Sequence, residues 1–589
     1  MTRIAIDPVT RVGGHLRIEA EVTNGVVTDA WSSGTMFRGI ELILRGRDAR
    51  DAWLLAQRVC GTCTGVHALA SVRAVEDAIG VTIPRNARLI RNILAGSQLV
   101  QDHVVSFYHR HALDWVDLPA GLSADPVATS AFARSVSERP LSNPSYFKNA
   151  QDRLARFIDS GQPGPFANGY WSHPAITLPP EASLMVLAHY LQALDLQRRT
   201  TRIGALLGGK NPHPQTFLVG GMALSPPWGG PKHSMAGEHP QQLERTPEAL
   251  GARGLSDLGD LMTQLRTFVE QVYVPDVLAI AGHYVDWAGI GRGLGSYLSF
   301  GDLPEDDASQ PALLLPSGRV VDADLTKVAM VDQAGIAETV AHSHYSYDGD
   351  DDALRPPAEG RTEPRYAGPK APVISLEGSA KYSWLKAPRY QGQPMEVGPL
   401  ARLLVGYAAG PGDARARVDG VVARLGIGPD ALLSTLGRTV ARAIEAQVVA
   451  GRLGGWIGDL TANLATGDLA IADVAAWDPA TWPRAAQGWA LGEGPRGAVG
   501  HWIRIVDGRI ADYQIVDAST WNASPRDAKG GRGPLEEALV GTPVADPARP
   551  VEILRTVRSF DPCPACAVHL LGAGPGVRVD LRLLEGAVR

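Results

Sequence analysis

All four cysteines of this 589-residue chain fall into two Cys-x-x-Cys pairs, Cys60 with Cys63 and Cys563 with Cys566, and Cys63 stands 500 residues before Cys563. A Cys-x-x-Cys puts two thiolates on one turn where both reach a single ion, and two such turns supply four soft ligands for one metal centre. A chain that closes such a centre has to fold its two ends against each other. Zinc is the default metal for four thiolates, although the separation stands against it because structural zinc motifs close within tens of residues, and a redox metal is the second reading. A pair of redox dithiols is the third reading, weakened by the lack of a thioredoxin-like context.

Composition narrows the class. Apolar residues make up 45% and charged residues 20%, which excludes collagen, coiled coil and wholesale disorder. A net charge of −6 gives no basic excess for nucleic acid. At one domain per ~150 residues the length allows roughly four domains. The start has no apolar run long enough for a signal-peptide core and meets charges at Arg3, Asp7 and Arg11, so no export address is expected in the chain itself. The best candidate for a membrane span, residues 274–290, is broken by Asp276, His283 and Asp286, so direct membrane insertion is not expected.

Alternation over residues 16–22 and 26–31, joined by Asn24-Gly25, predicts an antiparallel hairpin. The apolar period then lengthens to that of helices over 52–58, 66–79, 89–114, 181–207, 255–273, 399–409, 412–425 and 429–466. Residues 346–372, rich in Asp, Pro, Gly and Glu, read as a long surface loop. Strands return at 499–506 and 509–516 around Asp507-Gly508. The pattern predicts an α+β fold, predominantly helical, with a central bundle of long helices and peripheral β hairpins.

The residues around the cysteines are more specific. Arg58-x-Cys60-Gly61-x-Cys63 with His67, and Asp561-Pro562-Cys563-x-x-Cys566 with His569, resemble the paired motifs of the large, catalytic subunit of nickel–iron hydrogenases, in particular the membrane-bound respiratory uptake group. The resemblance runs almost the whole chain, through 6–11 (Ile6 to Arg11), Met36-Phe37-Arg38-Gly39, Gly208 to Pro214, Tyr382 to Arg389, Gly494-Pro495-Arg496-Gly497 and Ser519-Thr520-Trp521-Asn522. It implies one multi-layer domain over 1–569, with a β-rich start (about 1–47), a helical body (about 48–480) and a β-containing C-terminal part (about 481–569).

It also implies a chemistry. Cys60, Cys63, Cys563 and Cys566 would hold nickel, and Cys63 and Cys566 would bridge to an iron carrying CO and two cyanides. Dihydrogen would be split heterolytically, with the proton taken by a terminal thiolate, Cys563, or by a guanidine. Arg496, with Pro495, Asp102 and Asp561, would overhang the open face of the metals. Ser519 would help to hold the cyanides, and His67 would donate to a cysteine sulfur. Glu41, the carbonyl of Ile515 and His569 would bind magnesium. A hydrogen-sensing regulatory subunit of the same fold and a structural zinc protein are the rival readings; a metal-free relative of complex I is disfavoured by four intact cysteines.

Several positions depart from the family pattern. Gly13 stands where relatives carry the glutamate credited with the first proton transfer. Thr62 and Arg110 replace aliphatic residues of the gas path, although a surface position for Arg110 is an equal reading. Asp517-Ala518 replaces an apolar residue and a proline before Ser519. Residues 570–589 resemble the extension that a maturation protease removes after the histidine matching His569. Because one centre exhausts the cysteines, an iron–sulfur small subunit is required as partner. Relatives of this kind are exported with that subunit to the outer, periplasmic face of the membrane and feed a cytochrome b; a cytoplasmic location is the alternative.

Overall fold

The computed structural model describes residues 2–168, 170–224, 250–366, 376 and 381–567, except for the side chains of residues 168, 566 and 567. The chain opens with a three-stranded antiparallel sheet of β1 (Thr2–Ile6), β2 (Leu16–Thr23) and β3 (Val26–Gly34). Asn24 and Gly25 turn it with φ of 53° and 74°, the left-handed pair that a two-residue hairpin requires. The expected hairpin is present, and β1 adds a strand the pattern did not reveal.

Two long helices form the axis of the body. α1 (Arg85–Val105) and α2 (Thr435–Ala465) meet where Gly96 faces Trp456, Leu453 and Val449; a Cβ at Gly96 would lie 3.0–3.2 Å from their side chains. Ser434 caps α2 by accepting the Gly437 N–H, as an N-cap serine does. The run expected over 89–114 is not one regular helix: after Val105 it widens into a π-helical turn, Ser106–His111. Helices at Pro126–Val136 and Pro144–Asp159 were not expected. The 29-residue helix Pro180–Gly208 and the helix Ala252–Phe268 complete this layer around one large apolar core. Among the described residues no helix is long and apolar enough to cross a membrane.

A second antiparallel sheet follows, with β4 (Ala485–Gly494), β5 (Gly497–Val506) and β6 (Arg509–Val516) in that order. β6 matches its predicted span and β4 was missed. Gly488 lets β4 lie directly on the helix Thr64–Ile79, because a Cβ there would stand 2.3 Å from the Ala78 nitrogen. Finally the helices Pro534–Leu539 and Val551–Ser559 pack their Leu535, Leu539, Ile553, Leu554 and Val557 against Ile4, Leu16, Ile18, Ala20 and Val27 of the first sheet. The two ends of the chain therefore share a core, as the cysteine spacing requires. Of the loop expected over 346–372, residues 367–372 lie outside the described residues.

Candidate metal centre

Cys63 occupies the N-cap of the helix Thr64–Ile79, where the positive end of the helix dipole favours a thiolate. Cys60, three residues earlier, turns its sulfur back onto that helix start and accepts the N–H groups of Cys63 (3.0 Å) and Thr62 (3.3 Å). From the other end of the chain, Cys563 Sγ arrives 3.7 Å from Cys60 Sγ. Its own N–H is held by Ser519 Oγ at 2.9 Å, which leaves the serine hydroxyl proton to be donated elsewhere. All three cysteines are buried. The Cys566 side chain and His569 lie outside the described residues, and among those described no three His, Cys, Asp or Glu side chains converge as a metal-ligand group.

The hairpin between β4 and β5 has a two-residue tip, Pro495-Arg496, closed by the pair Gly494 and Gly497. Gly398, at φ 124°, lets that tip approach, since a Cβ there would meet the Arg496 carbonyl at 2.9 Å. The guanidinium of Arg402 donates to the carbonyls of Gly494 (3.0 Å) and Pro495 (3.4 Å), and Glu445 and Glu493 in turn hold Arg402. Arg496 Nε then donates to the Asp561 carbonyl (2.9 Å), with Nη2 3.0 Å from Asp561 Oδ2 and Nη1 3.7 Å from Asp102 Oδ2.

These charges are set by burial and by each other. Burial works against the Arg496 cation, but Asp561, Cys563, Cys63 and Asp102 outweigh it and raise its pKa well above the ordinary value. Burial pushes the Asp102 carboxyl up to about 7, partly opposed by Arg496 and Arg110. For Asp561 the desolvation is overcome by Arg110 and Arg496, which leave its pKa lowered. Arg110 is not a surface residue: its side chain is 12% exposed and pairs with Asp561, because the π-helical turn re-aims it inward. His67, pushed down to about 4 by burial, bonds His501 (3.1 Å), which continues through Tyr513 to Ser71; no described hydrogen bond joins His67 to a cysteine.

Behind the cysteines, Glu41 Oε1 accepts the Ile515 N–H at 2.8 Å. Lys386 Nζ lies 3.3 Å from Glu41 Oε1, 3.2 Å from Glu338 Oε2 and 3.0 Å from Gln514 Oε1. Asp517, one of the departures, caps the helix Ala518–Asn522 by accepting the Thr520 N–H, so the backbone before Ser519 is fixed by a cap.

The family model for nickel-dependent hydrogenases matches residues 38–569. The chain belongs to this family. It is 48% identical to the uptake hydrogenase large subunit of Rhizobium leguminosarum bv. viciae, over 97% of this chain and 95% of that protein. It is 45% identical to the hydrogenase-1 large chain of Escherichia coli K12, with the same coverage. The solved reduced nickel–iron–selenium hydrogenase of Desulfovibrio vulgaris Hildenborough superposes with a TM-score of 0.74 at 33% identity, over 96% of this chain and all of that one. This hydrogenase large subunit is thus the catalytic subunit of an oxidoreductase that oxidises H2 at a nickel–iron centre, and its fold is the expected mixed α+β one.

The residues present fit such a centre. Thiolates are the right donors for nickel, and among the described residues Arg496 Nη1 and Asp102 Oδ2 are buried with no hydrogen-bond partner. Buried polar atoms rarely stay unsatisfied without a ligand to meet. Arg38, in a segment whose sequence signals no role for it, donates to the carbonyls of Arg58 (2.6 Å), Val59 (2.7 Å) and Ala565 (3.4 Å), tying one cysteine turn to the other. Arg402 carried no local motif at all, because its partners come together only in the fold.

Proposed function

We propose that Cys60, Cys63, Cys563 and Cys566 hold nickel, that Cys63 and Cys566 bridge it to an iron carrying CO and two cyanides, and that magnesium sits at Glu41, the Ile515 carbonyl and His569. The observation that carries this reading is the meeting of Cys60 and Cys563 sulfurs at 3.7 Å near the buried guanidinium of Arg496, whose Nη1 makes no hydrogen bond among the described residues. For magnesium the support is the acidic, oxygen-rich cluster, in which Glu338 Oε1 is also buried without a hydrogen-bond partner among the described residues. The chemistry that two such metals would supply there is the polarisation and heterolytic splitting of dihydrogen.

This chain's residues handle the proton and the geometry. Arg496 keeps its charge, so a terminal cysteine thiolate, Cys563, is the better proton acceptor and the guanidinium serves as a fixed donor over the open face. Asp102 and Asp561 hold that guanidinium in place, and Arg402 fixes the tip that presents it. Ser519 positions Cys563 and offers its remaining proton to a cyanide.

Electrons leave through a partner, because the four cysteines leave no ligands for an iron–sulfur relay. We assign that relay to a small subunit, and membrane association on the periplasmic side, with a cytochrome b as acceptor, to the assembled enzyme. Residues 570–589 are read as an extension cleaved after His569 by a maturation protease, so that His569 becomes the C-terminus.

Infrared spectroscopy of the purified native complex, with nickel and iron counted in the same sample, tests this. One CO and two cyanide stretches with nearly stoichiometric nickel are the expected result. Zinc in place of nickel and no such bands, in a chain already shortened to His569, would sink the assignment.

A further inference from the structure

Asp561 meets Arg496 with its backbone as well as its side chain, from a conformation that few residues adopt. It is buried and turns at φ 49°, a left-handed setting that costs a residue with a Cβ and persists only where its surroundings hold it. Its N–H donates to the Arg558 carbonyl (2.9 Å), its carbonyl accepts Arg496 Nε (2.9 Å), and Oδ2 stands 3.0 Å from Arg496 Nη2. The other oxygen, Oδ1, accepts a hydrogen bond from Arg110 Nη1. Arg442 is also near, but spends its Nη1 on the Ser559 carbonyl (3.1 Å).

The backbone prepares Arg110 for this contact. Asp102 lies on α1, and the π-helical turn Ser106–His111 widens the chain just after it, so that Arg110 enters the same buried cluster. Such turns are rare and frequently mark functional sites. Arg11 Nη1 donates to the Arg110 carbonyl (2.9 Å), Arg11 Nη2 to Asp114 Oδ1 (2.5 Å), and Arg558 Nη1 to the same oxygen (2.7 Å). The base of the Arg110 side chain is therefore tied both to the N-terminal segment and to the helix Val551–Ser559 that precedes the second cysteine turn.

The χ2 torsion of an aspartate is soft. Held by Arg496 alone, the carboxylate would turn with the guanidinium, and Asp102, 3.7 Å from Arg496 Nη1, competes for the same cation. With Arg110 on Oδ1, the carboxylate turns only by giving up a charge-assisted bond, which is stronger than a neutral one. Stability is a weak reason to bury such a pair, because the desolvation of two ions offsets their attraction. We propose that Arg110 is a positioning residue for hydrogen oxidation: by fixing Asp561 Oδ1 it holds Oδ2, and through it the Arg496 guanidinium, in one orientation over the metals. Arg110 acts through Arg496 and takes no part in the chemistry itself. The inference rests on the reading above in which Arg496 overhangs the open face of the centre.

Arg110→Met in the native complex tests it in three ways. A crystal structure, with nickel loaded or not, is expected to show Asp561 turned about χ2 and the Arg496 guanidinium displaced by about 1 Å or more, and the two residues unmoved would overturn the proposal. In loaded enzyme, with nickel counted and the infrared CO and cyanide bands present, kcat and kcat/KM for H2 should fall together by about 10²-fold with KM unchanged, the pattern of an interaction made only in the transition state. Arg110→Lys should recover most of that loss, since a single contact to Oδ1 is all that has to be replaced. On an Arg496→Lys background the same Arg110→Met change should cost about twofold or less, because its effect runs through the group already removed. A merely structural role would cost the same factor on either background, and that result, or an unchanged kcat in loaded Arg110→Met, overturns the proposal. If Arg110→Met does not fold, Arg110→Gln, polar but too short to reach Oδ1, is read in the same three ways with the same deciding outcomes. Nickel and bands missing from the unmutated complex would overturn the metal assignment and this inference with it, whereas the readings on loaded enzyme bear on Arg110 alone.

Discussion

At the scale of single residues, Gly13 has the sharpest consequence. A Cβ there would stand 2.6 Å from Cys563 Sγ and 3.3 Å from its Cβ, so any side chain forces the sulfur to yield by about 1 Å to reach ordinary contact. Gly13→Glu is therefore expected to do two things at once. It places a carboxyl beside Cys563, which should raise the ratio of doubly to singly exchanged product in D2/H+ exchange by up to about 10²-fold. It also moves the sulfur, which should displace the CO stretch. Gly13→Ala separates the effects, with the displacement expected and the faster exchange absent; a gain in exchange with alanine would show that packing, and not a missing carboxylate, limits proton transfer. The cysteines themselves were legible in the sequence because metal chemistry restricts both residue type and spacing. The contact between Gly13 and Cys563 was not, since it depends on how two segments hundreds of residues apart come to rest.

At the scale of elements, legibility follows local backbone rules. Asn24-Gly25 and Asp507-Gly508 both turn with two positive φ values, and few residues other than these tolerate them, so both hairpins could be read. β4 could not, because Gly488 and Gly494 break its alternation for the sake of a close approach to the helix Thr64–Ile79, and Gly492 for one to the Asp302 carboxylate. The same requirement at Gly96 gives a stability prediction. Gly96→Val pushes a branched side chain into Trp456, Leu453 and Val449, and overpacking of this kind costs about 1–3 kcal/mol, measurable as a lower denaturation midpoint. Glu536, on the helix Pro534–Leu539, adds a pH dependence. It is buried, accepts the Ser32 N–H and the Tyr382 O–H at 3.0 Å each, and burial pushes its pKa from 4.5 up to about 7. A carboxyl that binds its proton more tightly in the folded chain adds stability that is whole below pH 4.5 and lost as the pH rises through about 7. Glu536→Gln cannot titrate, so its thermal midpoint minus that of the parent should climb between those limits by a degree or more, 1 kcal/mol being worth about 1 °C in a chain this long. A flat difference would mean that Glu536 keeps its charge.

The whole molecule is organised around bringing its ends together, and the cysteine spacing announced this without saying what holds them. Burial of the second core supplies the non-directional part, and directed polar contacts supply the register. Arg558 donates to the Thr10 carbonyl, Gly13 pairs with the C-terminal turn, and Arg38 reaches both cysteine turns. Arg38 joins them directly, through the Val59 and Ala565 carbonyls. A hydrogen bond from a charged donor contributes about 1.5–3 kcal/mol, and Arg38 makes three, of which only the one to Ala565 bridges the ends. Arg38→Met keeps the length and apolar stem of the side chain while removing all three, so the fold, with its extensive shared core, is expected to survive with circular dichroism unchanged. The relative placement of Cys60 and Cys563 is expected to loosen, because the C-terminal turn then loses its direct bond to the other cysteine turn and keeps those to Gly13, Ser519 and Arg496. Nickel per chain should fall several-fold, with Arg38→Lys intermediate because a single ammonium cannot reach carbonyls spread across a planar fork. Full nickel occupancy in Arg38→Met would show that the metals, once bound, hold the two ends together without it.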